Sequence, residues 1–172
     1  MRMLDDEDLL LTVLNSRPVI GGCTADGLVG TDAAALAREL GGEGSESELA
    51  QLRDVRDALQ RVIRGDEPAE EALAGPASGV ALVPVLTRDG IRWDIDATAD
   101  KRVAARVLIA WSDLQHKRPG RLRACANTEC NLYLIDRSRP GTAKWCSMAT
   151  CGNRMKARAH AQRARQTEPQ LR

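Results

Sequence analysis

The chain has 172 residues, enough for one domain or for one domain with a small module attached. Apolar residues make up 43% of it, which excludes global disorder, and aromatic residues only 2%, so Leu, Val, Ile and Ala must form the core. The net charge of +1 is the sum of two opposite regions. Residues 117–172 carry 13 Lys/Arg and three acidic residues, a net +10, whereas residues 1–116 carry 12 basic and 21 acidic residues, a net −9. This asymmetry indicates a C-terminal region that binds a polyanion, with a solvated basic tail as the alternative.

The N-terminus begins with acidic residues and a short apolar run, MRMLDDEDLLLTVLN. A signal peptide has the opposite charge order and a longer apolar stretch, and a membrane span needs about 20 apolar residues. We therefore expect a cytoplasmic protein without a membrane partner. Thiols stay reduced in that compartment, so clustered cysteines favour a metal site or catalysis over disulfides.

Three helices are predicted in the first 65 residues. Residues 4–15 form a short helix with acidic residues in its first turn, where the helix dipole favours them, and a Gly-rich loop follows. The next helix begins after Thr31, a candidate N-cap, and stops at Gly41. The clearest helix begins with a capping box of Ser45 and Glu48 and ends at Gly65.

Residues 66–120 add a hairpin and a second strong helix. A short helix is predicted at 68–73, broken by the sequence AGPASG. Two β-rich runs then flank Arg88-Asp89-Gly90, and Pro84 places its strand at an edge. An apolar stripe at helical spacing follows, and Pro119-Gly120 closes that helix. The stripe consists of Val103, Val107, Trp111 and Leu114. The predicted fold class is α+β: a mostly helical N-terminal domain with a small β-hairpin, followed by a small four-cysteine module.

Four of the five cysteines form two pairs, Cys125-x4-Cys130 and Cys146-x4-Cys151, separated by 15 residues. Zinc prefers four ligands in a tetrahedron, and two pairs joined by a short hairpin can supply them. The insert supports this plan with an apolar strand at Leu132–Ile135, a polar turn and a return to Trp145. We predict one structural zinc ion, since four thiolates leave no open coordination position, with disulfides or free thiols as the alternatives.

No nucleophile–base pair or phosphate-binding loop is recognisable, so we predict no catalytic residue and no enzymatic activity. A general-base partner is missing beside the cysteines, which argues against a hydrolytic zinc site. Cys23 has no partner at ligand spacing and is expected to be a partly buried small residue. His116 and His160 are expected at the surface.

A basic helix is predicted directly after the last cysteine, because RMKARAHAQRAR consists of strong helix formers. Arg154, Arg158 and Arg165 fall within about 40° of one another around its axis, and Lys156 and Arg163 lie on the opposite side. A slim helix with basic residues on two sides fits the major groove of DNA, about 12 Å wide. The alternative is a solvated helix whose alanine stripe packs on the body. That stripe consists of Ala157, Ala161 and Ala164.

The side chains divide into candidate base readers and candidate phosphate contacts. Asn153 and Arg154 stand at the leading end of the helix, and Asn and Arg are the residue types that bond adenine and guanine edges bidentately. Arg158 is the third candidate for a base edge. The predicted phosphate contacts are Lys156, Arg163, Arg165, Arg139 and Lys144.

The sequence CANTECNLYLIDRSRPGTAKWCSMATCGNRMKARAHAQRAR resembles the CGNR zinc fingers, named for the tetrapeptide found here at 151–154. The match includes both cysteine pairs, Asp136, Ser138 and the run 145–148. The family tends to an aromatic residue at the position of Leu134 and to Arg-Arg where this chain has Ala143-Lys144. The preceding residues resemble, more weakly, the ABATE domain that usually precedes this finger, through LLTVLNSRP, the Leu/Arg-rich middle helix and the strand pair.

The resemblance implies a bacterial transcription regulator with two domains: an ABATE-like sensor or dimerisation domain at 1–119, and a CGNR-type finger with its basic helix at 120–168. The implied partners are double-stranded DNA, a small-molecule effector and a second copy of the chain, with the protein nucleoid-associated when DNA-bound. Two alternatives from other classes remain: a zinc-stabilised module that binds RNA, or one that docks an acidic protein surface, including the chain's own body. The sequence indicates no ligand-binding residues in the N-terminal domain.

Overall fold

A computed structural model describes residues 5–167 of the chain and the side chains as far as 163. Helices dominate the N-terminal region, and three two-stranded antiparallel sheets accompany them, which confirms the predicted α+β class. Among the described residues, no helix combines the length and apolar character needed to cross a bilayer. The helices are α1 Asp6–Leu14, α2 Ala33–Glu39, α3 Glu46–Arg64, α4 Ala69–Ala72, α5 Ala74–Ala77, α6 Arg102–Lys117 and α7 Asn153–Thr167. The strands are β1 Val19–Ile20, β2 Cys23–Thr24, β3 Ala81–Thr87, β4 Gly90–Asp96, β5 Leu122–Ala124 and β6 Tyr133–Ile135.

The ends of α3 follow the predicted signals, with one change in the capping box. The Ser45 hydroxyl accepts a hydrogen bond from the Glu48 N–H, and Gly65 ends the helix with φ 79°. The buried Glu48 carboxylate, however, accepts from the backbone N–H groups of Glu43 and Gly44. It therefore orders the turn before the cap, and the box is only half formed.

Three local predictions were wrong. Asp32, and not Thr31, is the N-cap residue of α2, and its side chain makes no capping hydrogen bond. The AGPASG segment forms the one-turn helix α5 directly after α4, because Pro76 lies in its first turns, where a missing N–H costs little. The Gly-rich loop contains the short hairpin β1–β2, and Cys23 in β2 is exposed, not partly buried.

One apolar core joins α1, α3 and α6, and strands of the C-terminal region belong to it. Leu9, Leu52 and Val107 are completely buried at its centre. Val103 and Leu114 of the predicted stripe are buried as well, and Trp111 packs partly buried against them. Other members of the same core are Leu122, Tyr133 and Ile135. The two predicted domains therefore share an apolar interface, and the boundary at residue 119 stays a prediction.

A buried ion pair fastens the Gly-rich loop to α3. Arg56 is 1% exposed, and its guanidinium donates to both oxygens of Asp26, at 2.7 and 3.0 Å, and to the Ser16 hydroxyl at 3.1 Å. Burial alone would raise the pKa of Asp26, but the hydrogen bonds from Arg56 hold it below its ordinary value.

The insert between the cysteine pairs supplies only one strand. β6 pairs with β5, which precedes Cys125, so the hairpin encloses the first cysteine pair. The segment that returns towards Trp145 is irregular and contains no strand among its described residues. The longer hairpin β3–β4 has the predicted turn, with Thr87 paired to Gly90 and Pro84 to Trp93.

Candidate metal centre and nucleic-acid interface

The four thiol sulfurs predicted as zinc ligands lie together. Cys125, Cys130, Cys146 and Cys151 place all their Sγ atoms within 4.8 Å of one another. The Sγ of Cys146 is 3.7 Å from those of Cys130 and Cys151. Zinc–sulfur bonds of about 2.3 Å in a tetrahedron separate the sulfurs by about 3.8 Å, whereas a disulfide requires about 2.05 Å. All five cysteines are free thiols, so this geometry fits zinc and not a disulfide framework.

Backbone hydrogen bonds aim the thiols of the first pair. The Cys125 N–H donates to the Leu132 carbonyl at 2.8 Å, which continues the pairing of β5 and β6 beyond the strands. The Cys130 N–H donates to the Asn127 carbonyl at 2.8 Å and closes a tight turn. This turn brings two sulfurs to one side of the hairpin end, half of a tetrahedral shell.

Asn127 connects the two cysteine pairs, a role that the cysteine spacing does not indicate. Its side chain is completely buried, and its amide nitrogen lies 3.5 Å from the Cys151 sulfur. The Cys146 N–H points at the Cys125 sulfur at the same distance, and the Ala126 N–H donates to the Lys144 carbonyl. N–H groups of this kind stabilise thiolates, as outer-shell partners do in metal sites. In the sequence, only the position of Asn127 between Cys125 and Cys130 could have indicated this role.

The thiols differ in acidity according to their surroundings. Burial raises the pKa of Cys130 and Cys146 above the ordinary thiol value. Burial acts on Cys151 in the same direction, but the hydrogen bonds from Asn127 and the neighbouring thiols lower its pKa to about 7. A bound cation would favour the thiolate form of all four, because a coordinating thiol is deprotonated.

Asp136 organises the loop that leads to the second pair. Its buried carboxylate accepts from the Ser138 hydroxyl at 2.6 Å, from the Ser138 N–H at 2.9 Å and from the Ala143 N–H at 3.0 Å. Arg121 and Arg123 each approach it to 3.8 Å. The Ser138 hydrogen bond is the main cause that keeps the pKa of Asp136 below its ordinary value. The hydrogen bonds of this carboxylate therefore order the segment that returns to the second cysteine pair, where no strand pairing among the described residues does so.

The basic helix begins directly at the metal site. Cys151 lies in a π-helical turn, Met148–Gly152, in which the Ser147 hydroxyl accepts a hydrogen bond from the Thr150 N–H, and α7 continues it from Asn153. Ala157 and Ala161 are exposed, so this part of the alanine stripe does not pack on the body, and Ala164 lies beyond the described side chains. The predicted DNA-contact residues that are exposed are Asn153, Arg154, Lys156, Arg158, Arg163, Arg139 and Lys144. The side chain of Arg165 lies outside the described residues. His116 and His160 are exposed, as predicted.

Arg158, one of the predicted base readers, is held by an acidic side chain of the first cysteine turn. Its Nη2 atom lies 2.6 Å from both carboxylate oxygens of Glu129. This hydrogen bond is the main cause that lowers the pKa of Glu129, and the charge of Arg154 nearby adds to it. The helix face that carries Arg154 and Arg158 is therefore turned towards the cysteine turn, a contact that no spacing rule predicts.

Helix α1 contacts the finger at both of its ends. At its C-terminal end, the Asn15 side chain accepts from the Tyr133 N–H at 2.7 Å and donates to the Tyr133 carbonyl at 3.1 Å. At its N-terminal end, Glu7 pairs with Arg118 and, at 3.0 Å, with Arg137 in the finger loop. The finger is thus fixed to the helical body by hydrogen bonds and ion pairs as well as by apolar packing.

Comparison with known families agrees with this geometry. Residues 121–164 match the family described as CGNR zinc finger, a span that covers β5, β6, the four cysteines and most of α7. No curated protein matches the chain. Residues 121–164 are therefore similar to the CGNR zinc fingers, and with their four clustered thiols they form a zinc-binding module.

Proposed function

We propose that this zinc module binds double-stranded DNA through α7 and that the chain is a transcription regulator, not an enzyme. The observation that carries the proposal is the start of an exposed, basic helix two residues after the last zinc ligand. Because the metal fixes Cys151, the direction of the following turn is fixed before any partner arrives. A pre-aimed first turn is what base recognition requires.

Charge favours a polyanionic partner. Residues 117–172 carry a net +10, and Lys156 and Arg163 stand on the opposite side of α7 from Arg154. Arg139 and Lys144 are exposed on the loop that Asp136 orders. Basic side chains on two sides of a slim helix can reach both phosphate walls of a major groove while its leading end faces the bases.

We propose a ligand-responsive role for residues 1–119, because they resemble the ABATE domain. RNA binding and docking on an acidic protein are the competing functions. Sequence-selective binding to duplex DNA, with RNA as a poor competitor, would favour the DNA-binding function over RNA binding. Docking on a protein would show no affinity for either nucleic acid.

Arg154→Ala and Arg165→Ala should separate base reading from phosphate contact. Arg154 lies in the first turn of α7, so we expect its loss to cost about 1–3 kcal/mol on the preferred site and to flatten preference at one base pair. Arg165 lies three turns further on, and its loss should weaken all duplexes nearly equally and reduce the log–log salt slope by about one. The measurement is titration of both variants on specific and scrambled duplexes at several salt concentrations.

If Arg154→Ala lowers the affinity for the specific and the scrambled duplex by the same factor, Arg154 contacts a phosphate and α7 is not the recognition helix. If neither substitution changes affinity, α7 does not face DNA, and docking on a protein becomes the favoured function.

Glu129→Gln should strengthen DNA binding. The Glu129 carboxylate holds Arg158 and adds a negative charge beside the helix that would approach phosphates. Its neutralisation releases the guanidinium and removes that repulsion, so we expect about threefold to tenfold tighter binding at low salt. Arg158→Ala should weaken binding in the same titration.

Glu70→Gln is the matched control, since Glu70 is exposed on α4 and the substitution makes the same change in net charge. Its effect should be within twofold. Weaker binding by Glu129→Gln would mean that the ion pair positions α7, and that Arg158 does not itself reach DNA.

A further inference from the structure

The hairpin β3–β4 has one entirely apolar face. Antiparallel partners share a face, and the pairs Leu82–Ile95, Pro84–Trp93 and Leu86–Ile91 follow one another along the ribbon at every second position. The opposite face is mixed, with Val83 beside Asp94 and Val85 beside Arg92. We name the six-residue surface the apolar ribbon face; it consists of Leu82, Pro84, Leu86, Ile91, Trp93 and Ile95.

The body does not cover this face. Trp93 and Ile91 are each 59% exposed, and Leu86 near the turn is 83% exposed. β4 lies against α6 at one end, but an open groove separates Trp93 and Ile95 from Ile109 of that helix. Leu86 and Ile91 near the turn therefore face solvent, whereas Leu82, Trp93 and Ile95 at the base of the hairpin line this open groove.

Such a surface is unusual for an isolated monomer. A two-stranded ribbon is marginally stable in water unless another surface packs on it. Four large side chains of the apolar ribbon face are between 48% and 83% exposed, and a contiguous apolar patch of this kind marks an interaction surface. Two copies packed face to face would cover these side chains in both chains at once, and specific protein interfaces begin at about 1,200 Å² of total buried area.

We propose that the apolar ribbon face packs against the same face of a second copy around a twofold axis. A twofold contact needs a self-complementary patch, and this one is apolar along its whole length, without a charge to match. Pro84 lacks an N–H group and hinders pairing at the outer edge of β3, which favours packing of faces over extension of the sheet.

The charge of the body predicts how salt acts on this dimer. Residues 1–116 carry a net −9, so two bodies repel each other, and salt screens that repulsion while it strengthens apolar burial. The dimer should therefore tighten as salt rises. If the basic finger of one copy instead docked on the acidic body of another, the association would weaken as salt rises. The association does not depend on DNA binding, so the two proposals can fail separately.

The test is sedimentation equilibrium of the full-length, zinc-loaded chain without DNA, at about 1–200 µM and at low and high salt. The Cys23→Ser background removes the exposed thiol, which could otherwise cross-link copies. We expect a reversible monomer–dimer equilibrium whose monomer has the 18.7 kDa mass of the chain. Leu86→Lys, on the apolar ribbon face, should weaken the dimer at least tenfold.

Val83→Lys is the matched control. It adds the same charge to the same strand, but on the opposite face and beside Asp94, so the dimer should persist. Ile91→Lys repeats the test if Leu86→Lys fails to fold. A chain that stays monomeric at 200 µM overturns the proposal. So does equal weakening by both lysine variants, or a dimer that dissociates as salt rises.

Discussion

Replacing Cys146 by Ser is expected to abolish zinc binding and to unfold residues 121–165, whereas the unaltered chain should contain one zinc ion. The four sulfurs form a closed shell, and the binding free energy of structural zinc, about 10–16 kcal/mol in isolated zinc-finger peptides, stabilises the fold around such a shell. DNA binding should disappear with the metal because α7 loses its fixed start. Elemental analysis and duplex titration measure both losses.

Cys23→Ser is the matched control and should keep its zinc, since Cys23 is exposed in β2 and lies outside the cluster. Chelation of the unaltered chain should leave most of the helical circular dichroism, because α1, α3 and α6 bury one another's apolar residues. It should nevertheless lower the melting temperature of the body, which shares Tyr133 with the finger. A native protein that is metal-free, with Cys125 to Cys151 in disulfides, would contradict the zinc site.

Tyr133→Ala should destabilise the whole chain by about 3–5 kcal/mol, the cost of removing a buried aromatic ring. Tyr133 is 2% exposed, lies in the core of the helical body and packs under the Arg64 guanidinium at 5.3 Å from the ring centre. The substitution therefore leaves a cavity at the interface between finger and body. Urea denaturation followed by circular dichroism measures the free energy of unfolding.

Tyr133→Phe is the matched control and should be neutral or slightly stabilising. The Tyr133 hydroxyl is buried and finds no hydrogen-bond partner among the described residues, so its removal relieves a desolvation cost. Burial also raises the pKa of Tyr133 to about 12. Because the pKa is raised in the folded state, the associated stability is present below pH 10 and is lost as the pH rises towards 12. The stability of the Phe variant should not decrease in this way over that pH range. An Ala variant as stable as the Phe variant would show that the ring does not support the core.

Local signals predicted the elements well where one residue type determines the backbone. Ser45 and Gly65 mark the two ends of α3, and the Asp89-Gly90 turn closes the long hairpin. The Cys-x4-Cys spacing identified all four sulfurs of the cluster, because only neighbouring turns can bring such pairs to one metal. In each case the determining interaction lies within a few residues of the signal.

Contacts between distant segments could not be predicted in this way. The Asn15 side chain pairs with the backbone of Tyr133 across 118 positions, and an Asn after a helix usually indicates only its end. β5 has three residues, too few to show a period of two, so its pairing with β6 was missed. In the sequence, Arg56 cannot be distinguished from a surface arginine of an amphipathic helix. Its burial depends on Asp26, which lies 30 positions away in the Gly-rich loop.

The contacts of α1 with the finger at two points have a consequence for the proposed binding through the basic helix. A finger on a flexible linker samples many orientations and loses that freedom each time it binds. Here Asn15 holds the finger strand and Glu7 holds the finger loop, so that freedom is already lost when the chain folds. The position of the finger relative to the body is consequently restricted before a partner is met, and less orientational freedom remains to be lost on binding.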